Sequence, residues 1–210
     1  MNQVAAMHGY GSEPVEYSLT DTLGKLGMWI FLAGDAMGFG ALIVGYGALR
    51  YYSPNWPWPA DVLGIGLTAV MTFILICSSV TMVKALSAIQ HGDQAALRKF
   101  LGLTILGGLI FLGCQAYEWT HLIFGEGMSI RHPPHDFPNA TTLFGATFFI
   151  LTGFHGMHVT GGVIYLLCVL IRSLSGAYSA EYAYPVEIVG LYWHFVDLVW
   201  ILIFTFVYLI

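Results

Sequence analysis

The chain has 210 residues, 57% of them hydrophobic and 9% charged, with mean hydropathy +0.73 and a formal net charge of −5. A soluble domain carries about 25% charged residues, so the composition places this chain in a bilayer. Its seven Lys and Arg are scattered, which leaves no basic face for nucleic acid.

Residues 1–22 hold no Lys or Arg and include Glu13, Pro14, Glu16 and Asp21. A secretory signal starts positive and runs directly into an apolar core, so this segment reads as a polar tail. Residues 23–210 read as a single all-α membrane domain. A spanning helix needs about 20 mostly apolar residues, and five segments qualify. The first runs from Leu23 to Leu49 and contains Asp35. The second, Val62 to Val83, is free of charge. The third, Phe100 to about Ile123, contains Gln115 and Glu118. The fourth, Thr141 to Ile171, holds His155 and His158 and ends beside Arg172. The fifth starts near Ala183 and carries Glu187, His194 and Asp197.

The linkers are polar or broken by proline. Residues 53–59 hold Pro54, Pro57 and Pro59 with Trp56 and Trp58 at interface height. Residues 125–140 form the longest loop, with Arg131, His132, Pro133, Pro134 and His135. Five spans put the N-terminus and the second and fourth loops on one side. That side holds Lys25, Lys84, Arg98, Lys99 and Arg172, against Arg50 and Arg131 opposite. The positive-inside rule then predicts a cytoplasmic N-terminus and an outer C-terminus.

A charge at the bilayer centre costs about 2.5–3.5 kcal/mol on insertion scales, so the ionisable residues must face protein or water. Glu187, His194 and Asp197 follow at seven- and three-residue steps and share a helix face. Three readings compete. Glu118-Trp119-Thr120-His121 has the Glu-x-x-His spacing of di-iron bundles, but those need two such motifs and two further Glu. His155 and His158 share one helix face and cannot grip opposite sides of one haem. Intramembrane carboxylates mark ion pathways, yet the paired halves and broken helices of transporters are missing. Interhelical hydrogen bonding by Gln115, Glu118, His155, His158, Glu187, His194 and Asp197 is the structural reading. The glycine pairs 34/38, 107/108 and 161/162 suit close helix packing. Cys77, Cys114 and Cys168 lie in apolar runs and read as core residues.

The same residues carry a family resemblance. Tyr192-Trp193-His194-Phe195-Val196-Asp197-Leu198-Val199-Trp200 resembles the C-terminal signature of subunit III of haem–copper terminal oxidases. Gly153-Phe154-His155-Gly156-Met157-His158-Val159 is similar to that family's preceding helix. Gln115-Ala116-Tyr117-Glu118 and Met28-Trp29-Ile30-Phe31-Leu32-Ala33-Gly34-Asp35 resemble its earlier ones. The resemblance runs from Leu23 to the end of the chain. It implies a bacterial cytoplasmic-membrane subunit of a proton-pumping cytochrome c or quinol oxidase, without a redox centre or catalytic residue of its own. Subunit I would be the main partner and would hold the haems and copper. Other oxidase subunits and a respiratory supercomplex stand behind it. The chain would sustain proton uptake into subunit I and hold phospholipid. Asp35 stands where many members have Glu, as a proton-related candidate. Arg172 falls on a lipid-headgroup arginine, and Glu187 on a family Glu. Larger members have seven helices; this chain lacks the first two. A membrane di-metal oxidoreductase and a small proton or ion transporter are the alternatives.

Overall fold

The computed structural model describes residues 19–210, with side chains from 23 onward. Of the tail predicted over 1–22, residues 1–18 lie outside the described residues, and residues 19–22 already belong to a helix. The elements are α1 (Leu19–Tyr52), a short α2 (Pro59–Val62), α3 (Ile65–Gln90), α4 (Gln94–Thr120), α5 (Thr142–Leu174) and α6 (Tyr184–Ile203). Widened π-helical turns extend α4 over His121–Gly125 and α6 over Phe204–Leu209. Five helices are long and apolar enough to cross a membrane. They are the five expected spans, with the third beginning at Gln94 rather than Phe100.

Local chemistry sets the ends. Gly92 takes φ +77°, a left-handed conformation that turns the chain between α3 and α4. Asp93 then caps α4 by accepting from the Ala96 amide at 2.9 Å. Thr141 caps α5 through the Leu143 amide at 3.3 Å. At the far end of α5 the Arg98 guanidinium donates to the Ser173 carbonyl from Nε at 3.2 Å and Nη2 at 2.9 Å. A cation thus meets the negative end of that helix. Gln94 donates to the Tyr178 carbonyl nearby. At the opposite end, the Thr141 amide donates to the Asn55 carbonyl at 3.1 Å, and Trp56 wedges edge-on between Tyr46 and Phe144.

α3, α4, α5 and α6 form a closed ring, each packed on the next, with α6 returning to α3. α1 lies outside the ring in the seam between α5 and α6. It buries Leu32, Phe39 and Tyr46, spaced seven apart, and leaves most of its other apolar residues exposed. α6 is the most enclosed span. Its Trp193 lies flat in a slot where glycine is required. A Cβ at Gly108 would come within 2.6 Å of the ring, and one at Gly162 within 3.0 Å.

Candidate functional site: polar ties inside the bundle

Helix α3, whose one charge is Lys84 near its end, supplies the partners for the others. Its hydroxyls form a ladder facing α4 and α6. Thr68 Oγ1 lies 3.0 Å from Glu118 Oε1 as donor, and its proton also points toward the Gly64 carbonyl at 3.1 Å. Thr72 Oγ1 accepts from Trp200 Nε1 at 2.8 Å and donates to the Thr68 carbonyl at 2.6 Å. Ser78 Oγ accepts from Trp193 Nε1 at 3.0 Å and donates to the Leu75 carbonyl at 2.6 Å. Ser79 Oγ is hydrogen-bonded to His194 Nδ1 and lies beside the Asp197 carboxylate. Thr81 and Thr104 share a bond of 2.7 Å. Each hydroxyl of the Thr72 and Ser78 steps accepts from an indole and passes its own proton to a backbone carbonyl one turn back. No polar atom in those two steps is left over.

Glu118 is the hub of one end. Its Oε2 accepts from the Tyr208 hydroxyl at 2.8 Å while Oε1 takes Thr68, so a 4%-exposed carboxyl ties α4 to α3 and to the last turn of α6. Both π-helical turns begin at this level. The widening brings Tyr208, wholly enclosed, round toward Glu118. Gln115 Nε2 donates to the Thr152 carbonyl at 2.8 Å and links α4 to α5.

The remaining sequence candidates separate. Glu187 does not point into the bundle with His194 and Asp197. It is partly exposed and pairs with Lys25 of α1 at 2.7 Å, because its position in the first turn of α6 lies at the mouth of the seam that α1 fills. His194 is likewise only partly buried. His155 is buried completely but has no hydrogen bond among the described residues. Its ring lies between Trp200, 4.9 Å away, and Phe111, 5.6 Å away. Asp197 is buried, and its Oδ1 has no partner among the described residues. Gly34 and Gly38, expected to pack, have nothing within 4 Å of a built Cβ.

Asp35 and His158 meet across the seam. His158 Nε2 lies 3.2 Å from Asp35 Oδ2, off the hydrogen-bond line, and both side chains are mostly buried. His158 Nδ1 is 2.8 Å from the Phe154 carbonyl. A carbonyl only accepts, so Nδ1 carries its proton.

His155 faces Trp200 and Phe111 while His158 faces α1, and among the described residues no three His, Cys, Asp or Glu side chains gather as a metal site. Sequence reasoning missed Thr68, Ser79 and Tyr208. The signal for the first two was present as Thr68, Thr72, Ser78, Ser79 and Thr81 in a span otherwise apolar.

Comparison with known proteins bears on the whole chain. The family model described as cytochrome c oxidase subunit III matches residues 6–210. Cytochrome c oxidase subunit 3 of Synechocystis sp. is 39% identical over 97% of this chain and 79% of its own length. Quinol oxidase subunit 3 of Bacillus subtilis is 34% identical over 97% and 96%. Cytochrome c oxidase subunit 3 of Alkalihalophilus pseudofirmus is 33% identical over 96% and 93%. A helical bundle tied by His194, Glu118 and Gln115, and matched along nearly its full length, belongs to the cytochrome c oxidase subunit III family of haem–copper terminal oxidases.

Proposed function

We propose that this chain is the non-catalytic subunit III that steadies subunit I of the oxidase and supports its proton uptake. Membership of the family makes it part of an oxidase complex in a bacterial membrane. The finer reading rests on one observation, the outer face of α1. Gly27, Gly34, Gly38 and Gly45 are all exposed, and a Cβ on any of them would meet nothing. At about 100° per residue the four fall within a stripe roughly 40° wide, about a third of a turn from the Leu32–Phe39–Tyr46 seam. In lipid such a stripe permits a second helix to approach closely. Met37 and Val44 stand exposed about a quarter-turn from the stripe as apolar contact area. Subunit I is the partner this face fits, and its haems and copper would do the redox chemistry. The di-metal and transporter alternatives gain nothing from these observations.

Leucine at both Gly34 and Gly38 would hold a partner helix off by the depth of two side chains. The chain itself has open space there and should still insert and fold. Oxidase purified with this variant is expected to carry severalfold less of the chain, measured by subunit stoichiometry. Full occupancy would place the contact elsewhere.

The proposed orientation puts the Gln90–Asp93 turn in the cytoplasm and Arg131 and Ile210 outside. Gly92 needs its positive φ, so the exposed neighbour His91 is the better probe. In intact cells, an impermeant thiol reagent is expected to label Arg131→Cys and spare His91→Cys. The reverse pattern would invert the topology. With this orientation Arg172, exposed in the last turn of α5, meets cytoplasmic-leaflet phosphates, as a lipid-contacting residue should.

A further inference from the structure

Between α4 and α5 runs an open groove, bordered midway by Gln115, whose amide ties the two helices. Two cavities, about 590 and 560 Å³, follow one another along it, and Trp119 borders both. The longer stretch of wall is apolar, from Phe149 and Ile150 through Met157 to Ile164. Fifteen helical residues cover about 22 Å, more than one leaflet at about 15 Å, half of the roughly 30 Å hydrocarbon core. Gly153, Gly156 and Gly161 keep the floor deep.

The second cavity holds the neutral Gln115 and Thr160, and the charged end is the other one. There Arg131, His132 and Ser129 close the first cavity. This end is built rather than draped. Ser129 Oγ accepts from the amides of Arg131 at 3.2 Å and His132 at 3.1 Å, and it bonds His132 Nδ1 at 3.1 Å. The Ser129 amide donates to the His132 carbonyl at 3.0 Å. Met128, wholly buried, anchors the turn. The Ser129 carbonyl presses so closely on Gly145 of α5 that a Cβ there would lie 2.5 Å from it. The turn spends its backbone on holding itself together. The Arg131 guanidinium makes no ion pair among the described residues. Glu126 and Asp136 of the same loop are not in the cavity wall. An exposed cation on a fixed turn at the mouth of a largely apolar slot one leaflet deep is complementary to an anion carrying a long chain.

We infer that the α4/α5 groove binds one phospholipid with a net anionic headgroup, its acyl chain along Ile150–Ile164 and its phosphate at Arg131 and His132. The site is separate from Arg172, which lies at the opposite end of α5. It goes beyond the subunit III reading and stands or falls without it. A juxtamembrane cation is worth about 1 kcal/mol toward an anionic surface, about fivefold in affinity.

The test uses the intact complex in vesicles of equimolar phosphatidylglycerol and phosphatidylcholine. A photoreactive p-benzoylphenylalanine replaces Met157, which is 65% exposed within the groove. Adducts are identified by mass. The expected result is a lipid adduct with phosphatidylglycerol favoured about fivefold, falling to parity in R131Q/H132Q. Both of those side chains are exposed, and the turn's remaining bonds are to the backbone, so the variant should fold. Equal yields of the two lipids without the substitutions would overturn the proposal. So would an unchanged preference in R131Q/H132Q, or an adduct to a partner polypeptide, which would make the groove a helix-docking face.

Discussion

Trp200→Ala is expected to cost the chain about 3–5 kcal/mol, the range for emptying a large aromatic site in a core that only partly collapses. Trp200 has no exposed surface. Its ring meets Phe111 edge-on at 4.7 Å, lies tilted over His155 at 4.9 Å, and reaches Tyr208 at 6.1 Å. In a bilayer the helices gain little from leaving lipid, so lost dispersion contacts carry most of this cost. The lost hydrogen bond carries less. Interhelical bonds of this kind average about 0.6 kcal/mol and reach about 1.7, and Thr72 keeps its bond to the Thr68 carbonyl. Trp200→Phe, which keeps most of the volume but not the N–H, should therefore cost far less than Trp200→Ala. The measurement is retention of the chain in the complex against detergent or temperature. If the two variants are equally damaging, the hydrogen-bond ladder and not the packing holds α6 in place.

That comparison also separates what could be read in the sequence from what could not. The five spans follow from hydropathy alone, because a run of apolar residues has one stable state in lipid. Thr141 and the prolines of 53–59 mark some of their ends, but Asp93 starts α4 six residues before the expected Phe100. The partners across the bundle do not follow. Glu118 reaches a tyrosine 90 positions later only because the last turn of α6 widens, and no periodicity announces a π-helical turn. Glu187 was grouped with His194 and Asp197 by their shared helix face. A face is shared over its whole length, though, and only its deeper part meets the bundle. The glycines make the same point in reverse. Gly108 and Gly34 look alike in sequence, yet Gly108 receives a tryptophan and Gly34 faces open space. What surrounds a residue is set by helices far away in the chain, and spacing within one helix carries no record of them.

Asp35→Asn distinguishes the two roles open to the carboxyl at the middle of α1. His158 Nδ1–H is committed to the Phe154 carbonyl, so in a neutral Asp35–His158 pair one further proton is shared between Nε2 and the carboxyl. With that proton on Nε2 the pair is imidazolium and carboxylate; with it on Asp35 the pair is neutral imidazole and carboxylic acid. Both forms carry no net charge, which avoids the penalty of about 2.5–3.5 kcal/mol for a lone intramembrane charge. The two forms thus bury the same net charge. Asparagine keeps half of this arrangement. Its Nδ2–H can donate to the bare Nε2, so the seam between α1 and α5 should close normally and the complex should assemble with full subunit content. Asparagine has no proton to give up. If Asp35 supports proton supply to subunit I, as we propose, the assembled Asp35→Asn oxidase should take up protons more slowly and inactivate in severalfold fewer turnovers. Asp35→Leu leaves Nε2 unpaired and should weaken assembly itself, which gives the structural effect a separate signature. An Asp35→Asn enzyme with normal activity, normal proton uptake and normal lifetime would remove the proton role. Loss of the chain from the Asp35→Asn complex would instead make the carboxylate a structural tie between α1 and α5.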